Sequence, residues 1–126
     1  MKVYLAGQPS EYDNWKENFV NNKDFTFYDP EIHSDQSSSD TFFPQDLKAV
    51  SEADILIANP GLAPSEGTWI EVGYFLALNT DKPGDRCKRL IIIWDKDRQD
   101  WSIEFVKKAG VIVGTVEEAI DVLNNI

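Results

Sequence analysis

Two carboxylates lie in segments of the sequence that are otherwise typical of a buried core. Glu71 belongs to PSEGTWIEVGYFLAL (64–78), where apolar residues precede and follow it. Asp46 belongs to FPQDLKAVSEAD (43–54), within apolar residues at the spacing of a core-facing helical stripe. The members of that stripe are Phe43, Leu47, Val50 and Ala53. A paired Asp and Glu suit reactions with an oxocarbenium-like transition state, one as nucleophile and the other as proton donor or base.

The elements that must position these side chains follow from the apolar pattern, which alternates between strand-like and helix-like periods. Strands are predicted at KVYLAG (2–7), DFTFYDP (24–30), ADILIANP (53–60), RLIIIW (89–94) and VIVG (111–114). Helices are predicted at 10–22, from Phe43 to 54, at 65–79, at 99–110 and at 115–126. A polar loop, EIHSDQSSSDT (31–41), separates the second strand from the second helix.

Capping residues support the predicted helix ends. Ser10 with Asp13 begins the first helix, Ser65 the third, and Thr115 with Glu118 forms a capping box. Gly110 is predicted to close the fourth helix.

This alternation predicts one α/β domain over residues 1–126, with a doubly wound, flavodoxin- or Rossmann-like parallel sheet of five strands and helices on both faces. Ligands of this architecture bind outside the carboxyl ends of the strands. Asp46 and Glu71 are predicted on the helices that flank the strand ILIAN (55–59), so both carboxylates should meet at one pocket.

Each carboxylate also has an ordinary structural explanation. An Asp on an apolar stripe is often hydrogen-bonded to backbone amides or to a Tyr. A Glu near the start of a helix often compensates the helix dipole. His33, with Asp35 and Asp40, suggests a metal site less well than a solvated loop, so no metal is predicted.

The charge of the chain restricts its partners. Twelve basic and twenty-two acidic residues give a net charge of −10, which disfavours nucleic acid polymers and anionic membranes. A small phosphate remains compatible, because a helix amino terminus can bind one. A single Cys87, no apolar run long enough to span a bilayer and no leader-like start favour a cytoplasmic protein.

Three segments together resemble the nucleoside 2-deoxyribosyltransferase superfamily: KVYLAG, QDLKAVSEADILIAN and PSEGTWIEVGYFLAL. The resemblance covers at least residues 1–80. It implies that Tyr4, Asp46 and Glu71 form an active site. In that family the Glu attacks the anomeric carbon of the sugar, the Tyr orients it, and the Asp assists departure of the base.

The same resemblance implies the substrate contacts. Family transferases of free nucleosides usually carry an acidic residue six positions before the nucleophile, whereas this chain has Ser65, as in the 2′-deoxynucleoside 5′-phosphate N-hydrolases. Ser65 and Gly67 would then bind a phosphate at the helix start, where the alternative for Ser65 is a simple N-cap. Gly7 and Gln8 are the contacts available in a first loop that lacks the Arg of those hydrolases.

Trp69, two positions before the Glu, is a candidate for stacking on the base, and core packing is its alternative. Core or rim packing is predicted for Trp15, Trp94 and Trp101. The resemblance further implies a homo-oligomer, in which Ser102 is a candidate contribution from a neighbouring subunit. No cofactor is required by this chemistry.

Two other functions remain open from the sequence. GTWIE also resembles part of the Gly-Thr-x-x-Glu motif of cytokinin-activating phosphoribohydrolases, although the tandem glycines before it are absent. A nucleotide sensor on the same fold would keep Ser65 and Gly67 but would not need both inward carboxylates. Neither the preferred base nor the acceptor, water or a second base, follows from the sequence.

Overall fold

The computed structural model describes residues 1–7, 14–61, 65–79, 89–94 and 101–126. The strands in these ranges are β1 (Lys2–Gly7), β2 (Thr26–Tyr28), β3 (Ile55–Asn59), β4 (Leu90–Ile93) and β5 (Val111–Val113). The helices are α1 (Glu17–Val20), α2 (Pro30–His33), α3 (Ser39–Glu52), α4 (Glu66–Leu78), α5 (Trp101–Val106) and α6 (Val116–Asn124).

All five strands form one parallel sheet in the order β2-β1-β3-β4-β5. The chain therefore starts in the middle of the sheet, and its direction of winding reverses between β1 and β3. Adjacent positions of neighbouring strands include Tyr4 with Tyr28 and Gly7 with Asn59. The predicted doubly wound α/β fold is confirmed, and its switch point lies where β1 and β3 end.

Alternate residues of the same strands build two separate cores. Val3 and Leu5 face the layer of α1 and α6, together with the alternate Ile residues of β3 and β4. Tyr4 and Ala6 face the layer of α3, α4 and α5. The side chains of β3 and β4 are buried on both faces, which explains why these strands read as continuous apolar runs in the sequence.

The polar loop predicted at 31–41 is helical at both ends, over 31–33 and 39–41, and only 34–38 is a loop, so that prediction is wrong in part. Asp29 caps α2 by accepting a hydrogen bond from the Glu31 N–H at 3.0 Å, and Pro30 occupies the first helical position. Pro30 therefore begins a helix as well as ending a strand. α3 starts at Ser39, four residues before the predicted start, because Ser38 and Thr41 form its capping box.

The early start of α3 changes which of its residues face the core. Phe43 is 46 % exposed, so its predicted place on the inward stripe is wrong. The stripe that packs on the sheet consists of Ala49, Val50 and Ala53. Asp46 lies three and four residues before the first two of these, so it belongs to the inward face as predicted.

Three further predictions differ from the structure. The first helix covers only Glu17–Val20 among the described residues, and Ser10 lies outside them. α5 ends at Val106, and Gly110 instead lies where a Cβ would be 2.6 Å from the Leu90 carbonyl oxygen. Trp101 is 81 % exposed, which excludes the core or rim packing predicted for it.

The two other predicted N-cap residues lie at the N-cap positions of their helices, although the Ser65 side chain makes no capping hydrogen bond. Ser65 is the N-cap residue of α4, and Thr115 accepts a hydrogen bond from the Glu118 N–H at 3.1 Å at the start of α6. The Glu118 carboxylate accepts from the Gly114 N–H at 3.0 Å. In the part of the chain that the structure describes, no helix has the length and apolar character needed to cross a membrane.

Candidate active site

Tyr4 and Glu71 meet between β1 and α4. Tyr4 is fully buried in the middle of β1, and its hydroxyl donates a hydrogen bond to Oε2 of Glu71. Val72 and Phe75, which follow Glu71 on α4, are fully buried against the same face of the sheet. The helix therefore carries the Glu71 carboxylate toward the strand, as the sequence predicts.

Burial controls the ionisation of this pair. Loss of water raises the pKa of Glu71 from 4.5 to about 7, and the negative charge of Asp46 acts in the same direction. The Tyr4 hydrogen bond and the charge of Lys16 oppose that rise. Burial and the nearby Glu71 charge raise the pKa of Tyr4, so the phenol keeps its proton and acts as the donor.

Asp46 is the second carboxylate of the site. It projects from α3, and its Oδ1 accepts a hydrogen bond from the Ser34 hydroxyl. Burial raises the pKa of Asp46, while the Ser34 hydrogen bond and the charge of Lys16 lower it. Asp46 and Glu71 come from neighbouring helices on the same face of the sheet, and the charge of Asp46 raises the pKa of Glu71. The structure thus brings all three predicted catalytic residues into one electrostatic cluster.

A buried ion pair borders this cluster. Nζ of Lys16 lies 2.9 Å from Oδ1 of Asp29, and the two residues are 3 % and 4 % exposed. Glu31 lies further away, with its Oε1 3.9 Å from the same nitrogen. Because the pair is shielded from water, the positive charge of Lys16 acts on both Asp46 and Glu71.

The rings of Tyr4 and Tyr28 stack on the same side of the sheet. Their centroids are 5.5 Å apart and their planes differ by 13°. The Tyr28 hydroxyl lies 2.6 Å from the hydroxyl of Ser34, which is itself bonded to Asp46. Two adjacent tyrosines on neighbouring strands therefore lead to the two carboxylates, one directly and one through a serine.

The predicted substrate contacts on the first loop have different outcomes. Gly7 ends β1 with a φ of 148°, and a Cβ there would lie 2.1 Å from the Asn59 carbonyl oxygen. Close packing against β3 is thus sufficient to require glycine at this position. Gln8 lies outside the described residues.

The contacts predicted on α4 lie near its start. The Ser65 hydroxyl donates to the Pro60 carbonyl oxygen, just after β3. Gly67 is exposed, and a Cβ added there would meet nothing within 4 Å. Trp69 packs against the core, its ring 5.9 Å from that of Trp94, and its buried Nε1 has no hydrogen-bond partner among the described residues. Ser65 and Gly67 thus lie beside the carboxyl end of β3. Stacking of Trp69 on a base stays a prediction.

His33 belongs to α2 and takes part in its local hydrogen bonding. Its Nδ1 accepts from the Asp29 N–H at 2.9 Å, and its ring lies 5.3 Å from that of Tyr28. In the described ranges, no three His, Cys, Asp or Glu side chains come together as they would around a metal ion.

A groove of about 460 Å³ lies between the β2 edge of the sheet and α3. It extends from Lys2 and Thr26, at the amino ends of their strands, to Tyr4, Tyr28 and His33. The groove therefore reaches the rear of the two stacked rings, away from the end of β3 where Ser65 lies.

Three residues of the cluster were not among the sequence-based candidates: Lys16, Tyr28 and Ser34. Lys16 has the appearance of a solvent-facing charge, and Ser34 was placed in a polar loop. Tyr28 could have been found, because it ends a strand predicted next to the one that carries Tyr4. The sequence gives no comparable signal for the other two.

The chain is thus a doubly wound α/β domain that carries two neighbouring carboxylates on one face of its sheet. Comparison with solved structures finds similarity to the CMP N-glycosidase BcmB of Clostridium botulinum, with a TM-score of 0.69 over 98 % of both chains and 22 % sequence identity. This likeness establishes the fold. Comparisons with protein families and with curated proteins find no match.

Proposed function

We propose that the protein is an enzyme that cleaves the N-glycosidic bond of a nucleoside or deoxynucleoside 5′-monophosphate. The observation that carries this proposal is the part-buried Tyr4–Glu71 hydrogen bond, together with the influence of Asp46 on the same carboxylate. The pKa of Glu71, raised to about 7, lets this carboxyl exchange a proton near neutral pH beside the second carboxylate, which suits acid and nucleophile roles in one site. The likeness to a CMP N-glycosidase supports the same chemistry.

In the first step, ionised Glu71 attacks the anomeric carbon. A bond forms between that carbon and the carboxylate oxygen as the carbon–nitrogen bond breaks, and its electron pair stays with the departing base. In the reactive form the single proton of the carboxylate pair lies on Asp46, which transfers it to the departing base. The Tyr4 hydrogen bond orients Glu71 and favours its ionised form.

In the second step, water attacks the same carbon. The bond to Glu71 breaks, the carboxylate recovers its electron pair, and the proton of the water passes to Asp46. Configuration at the anomeric carbon is retained, as in glycosidases whose carboxyls lie about 5 to 5.5 Å apart. If a second base replaced water, the same intermediate would give transfer instead of hydrolysis.

The 5′-phosphate is assigned to the start of α4. Ser65 and Gly67 lie at this helix amino terminus, next to the end of β3, and the dipole of a 13-residue helix favours an anion there. An acidic side chain at position 65 would repel a phosphate, so the serine agrees with a monophosphate substrate.

The test is base release from a panel of nucleosides and 5′-monophosphates that includes CMP and dCMP, with and without a second free base. Glu71→Gln is expected to lose at least about 10³-fold in kcat while still binding substrate. Glu117→Gln, an exposed change on α6, is the matched control. A mass increase equal to the sugar phosphate on the α4 peptide after rapid quenching would support the covalent step.

Three outcomes would change parts of this assignment. Binding of monophosphates without base release from any substrate would favour the sensor alternative. Release from ribonucleotides alone would restrict the sugar to ribose, as in the phosphoribohydrolase alternative, and would exclude a deoxyribose substrate. Appearance of the sugar phosphate on the added second base would show transfer instead of hydrolysis.

We further propose that two copies of the chain associate through the outer face of α4. Ile70 is 53 % exposed there, and a Cβ at Gly67 or Gly73 would meet nothing within 4 Å. The small and apolar residues at positions 67, 70 and 73 allow a second helix to approach closely in a two-fold arrangement. Ile70→Glu should convert a dimer to a monomer in sedimentation equilibrium, and a monomeric wild type would overturn the proposal.

A further inference from the structure

Ser34 connects Asp46 to Tyr28 inside the protein. Ser34 is 8 % exposed, its hydroxyl donates to Oδ1 of Asp46, and its oxygen lies 2.6 Å from the Tyr28 hydroxyl. A serine hydroxyl has one proton, so when that proton points to the carboxylate, the phenol must be the donor in the other bond. The hydrogen bonds then run in one direction, from Tyr28 through Ser34 to Asp46.

The backbone fixes this serine independently of its hydroxyl. The Ser34 N–H donates to the Pro30 carbonyl oxygen at 3.2 Å and closes α2. The start of α2 is fixed in turn by Asp29, which is paired with Lys16. Removal of the hydroxyl alone should therefore leave α2 in place.

We propose that Tyr28 and Ser34 are positioning residues that hold one oxygen of Asp46, so that the other oxygen, Oδ2, serves the departing base. The described residues supply no hydrogen bond to Oδ2. The role in base departure rests on the proposed function, whereas the effect on Asp46 itself does not. The arrangement parallels that of Glu71, which is held directly by Tyr4.

The charged and titratable groups around Asp46 come from several elements. Lys16, the residue before α1, lowers the pKa of Asp46. The charge of Asp46 in turn raises the pKa of Glu71 on α4 and of Tyr4 on β1. His33 of α2 lies against the ring of Tyr28. A change in the pKa of Asp46 must therefore be measured on its own carboxyl carbon, because activity alone does not identify which group has changed.

The first measurement is the titration of the Asp46 carboxyl by ¹³C NMR. Ser34→Ala removes a hydrogen bond to the charged form, so the pKa of Asp46 should rise by about one unit. Ser34→Thr should restore the wild-type value, and Tyr28→Phe should give a smaller rise because the serine remains. Ser51→Ala, whose hydroxyl bonds the Lys48 carbonyl oxygen on the exposed side of α3, is the control and should change nothing.

The second measurement compares two leaving groups. Ser34→Ala should lower kcat about 10-fold or more on a natural monophosphate. On 4-nitrophenyl deoxyriboside 5-phosphate, whose leaving group needs no proton, the loss should stay below about three-fold. Glu71→Gln should lose activity on both substrates.

The outcomes separate this proposal from the proposed function. An unchanged pKa of Asp46 in Ser34→Ala, or equal losses on both substrates, would overturn the positioning role. No turnover of either substrate by the wild type would overturn the proposed function, and the titration would still test the contact to Asp46. If Ser34→Ala does not fold, Tyr28→Phe gives the same readouts while it keeps the stacked ring.

Discussion

Alternate residues of the same strands meet two helical layers with different chemistry. On the side of α1 and α6, Val3 and Leu5 pack among apolar side chains such as Phe19 and Leu123. On the side of α3 and α4, Tyr4 occupies the intervening position and bonds Glu71. Neighbouring residues of β1 therefore differ in role: one packs in the apolar core, and the next contacts the candidate active site. The comparison indicates that one face mainly stabilises the sheet, while the other also bears the cost of buried carboxylates.

Lys16 is the residue that links the two faces. It precedes α1, whose Phe19 packs on the apolar side, yet its ammonium group pairs with Asp29 and acts on Asp46 and Glu71. A change at Lys16 should therefore affect both stability and ionisation. The following predictions test how far the two faces are independent.

Lys16→Met should have the largest effect on stability. It leaves Asp29 buried without its cation, which is expected to cost about 3 to 5 kcal/mol in the free energy of unfolding. Urea denaturation measures this loss. The control is Lys2→Met, because Lys2 is exposed and its nitrogen lies 3.9 Å from Glu52, so about 0 to 1 kcal/mol is expected. Equal losses in the two variants would show that the buried pair has no special weight.

Leu5→Ala should weaken the protein without changing the site. Leu5 is fully buried on the apolar face, so the cavity should cost about 2 to 5 kcal/mol. The pKa of Glu71, measured by ¹³C NMR in the folded protein, should stay at about 7. A shifted Glu71 titration would mean that the two faces are mechanically coupled through β1.

Glu71→Gln should make stability less dependent on pH. The pKa of Glu71 is raised from 4.5 to about 7 on folding, so between these values the folded state binds more protons than the unfolded state. Stability of the wild type should fall by about 3 kcal/mol as pH rises through this interval. Gln has no such titration, so its variant should lack the decline in denaturation curves taken from pH 4 to 8. An equal decline in the variant would place the responsible group elsewhere.

The main architecture could be predicted because strong, local signals determine it. β3 and β4 are buried on both faces, and runs such as ILIAN and LIII show this directly. Ser65 and Thr115 occupy the N-cap positions predicted for them, and Thr115 also makes the capping hydrogen bond. The prediction failed at the ends of the segment 31–41, because the residue types that favour a turn also favour the start of a helix.

The site was predictable only in part, for a related reason. Glu71 and Asp46 are conspicuous because a carboxylate contrasts with apolar neighbours in the sequence. Ser34 and Lys16 lie among polar neighbours, so nothing local distinguishes them from solvated residues. Their burial arises from α2 and from the Asp29 pair, which are tertiary features.

Tyr4→Phe should have the smallest effect on folding and a specific effect on ionisation. The change removes the hydroxyl that stabilises ionised Glu71 and keeps the ring stacked on Tyr28. The pKa of Glu71 should therefore rise above about 7, by roughly one unit, since a hydrogen bond to a charged group contributes about 1.5 to 3 kcal/mol. If ionised Glu71 is the nucleophile, the rise of kcat/KM with pH should move upward by the same amount. If the pH profile of kcat/KM does not move while the rate falls, Tyr4 orients the substrate instead. Tyr4 would then differ from Leu5 in what it positions, and not in its effect on the charge of Glu71.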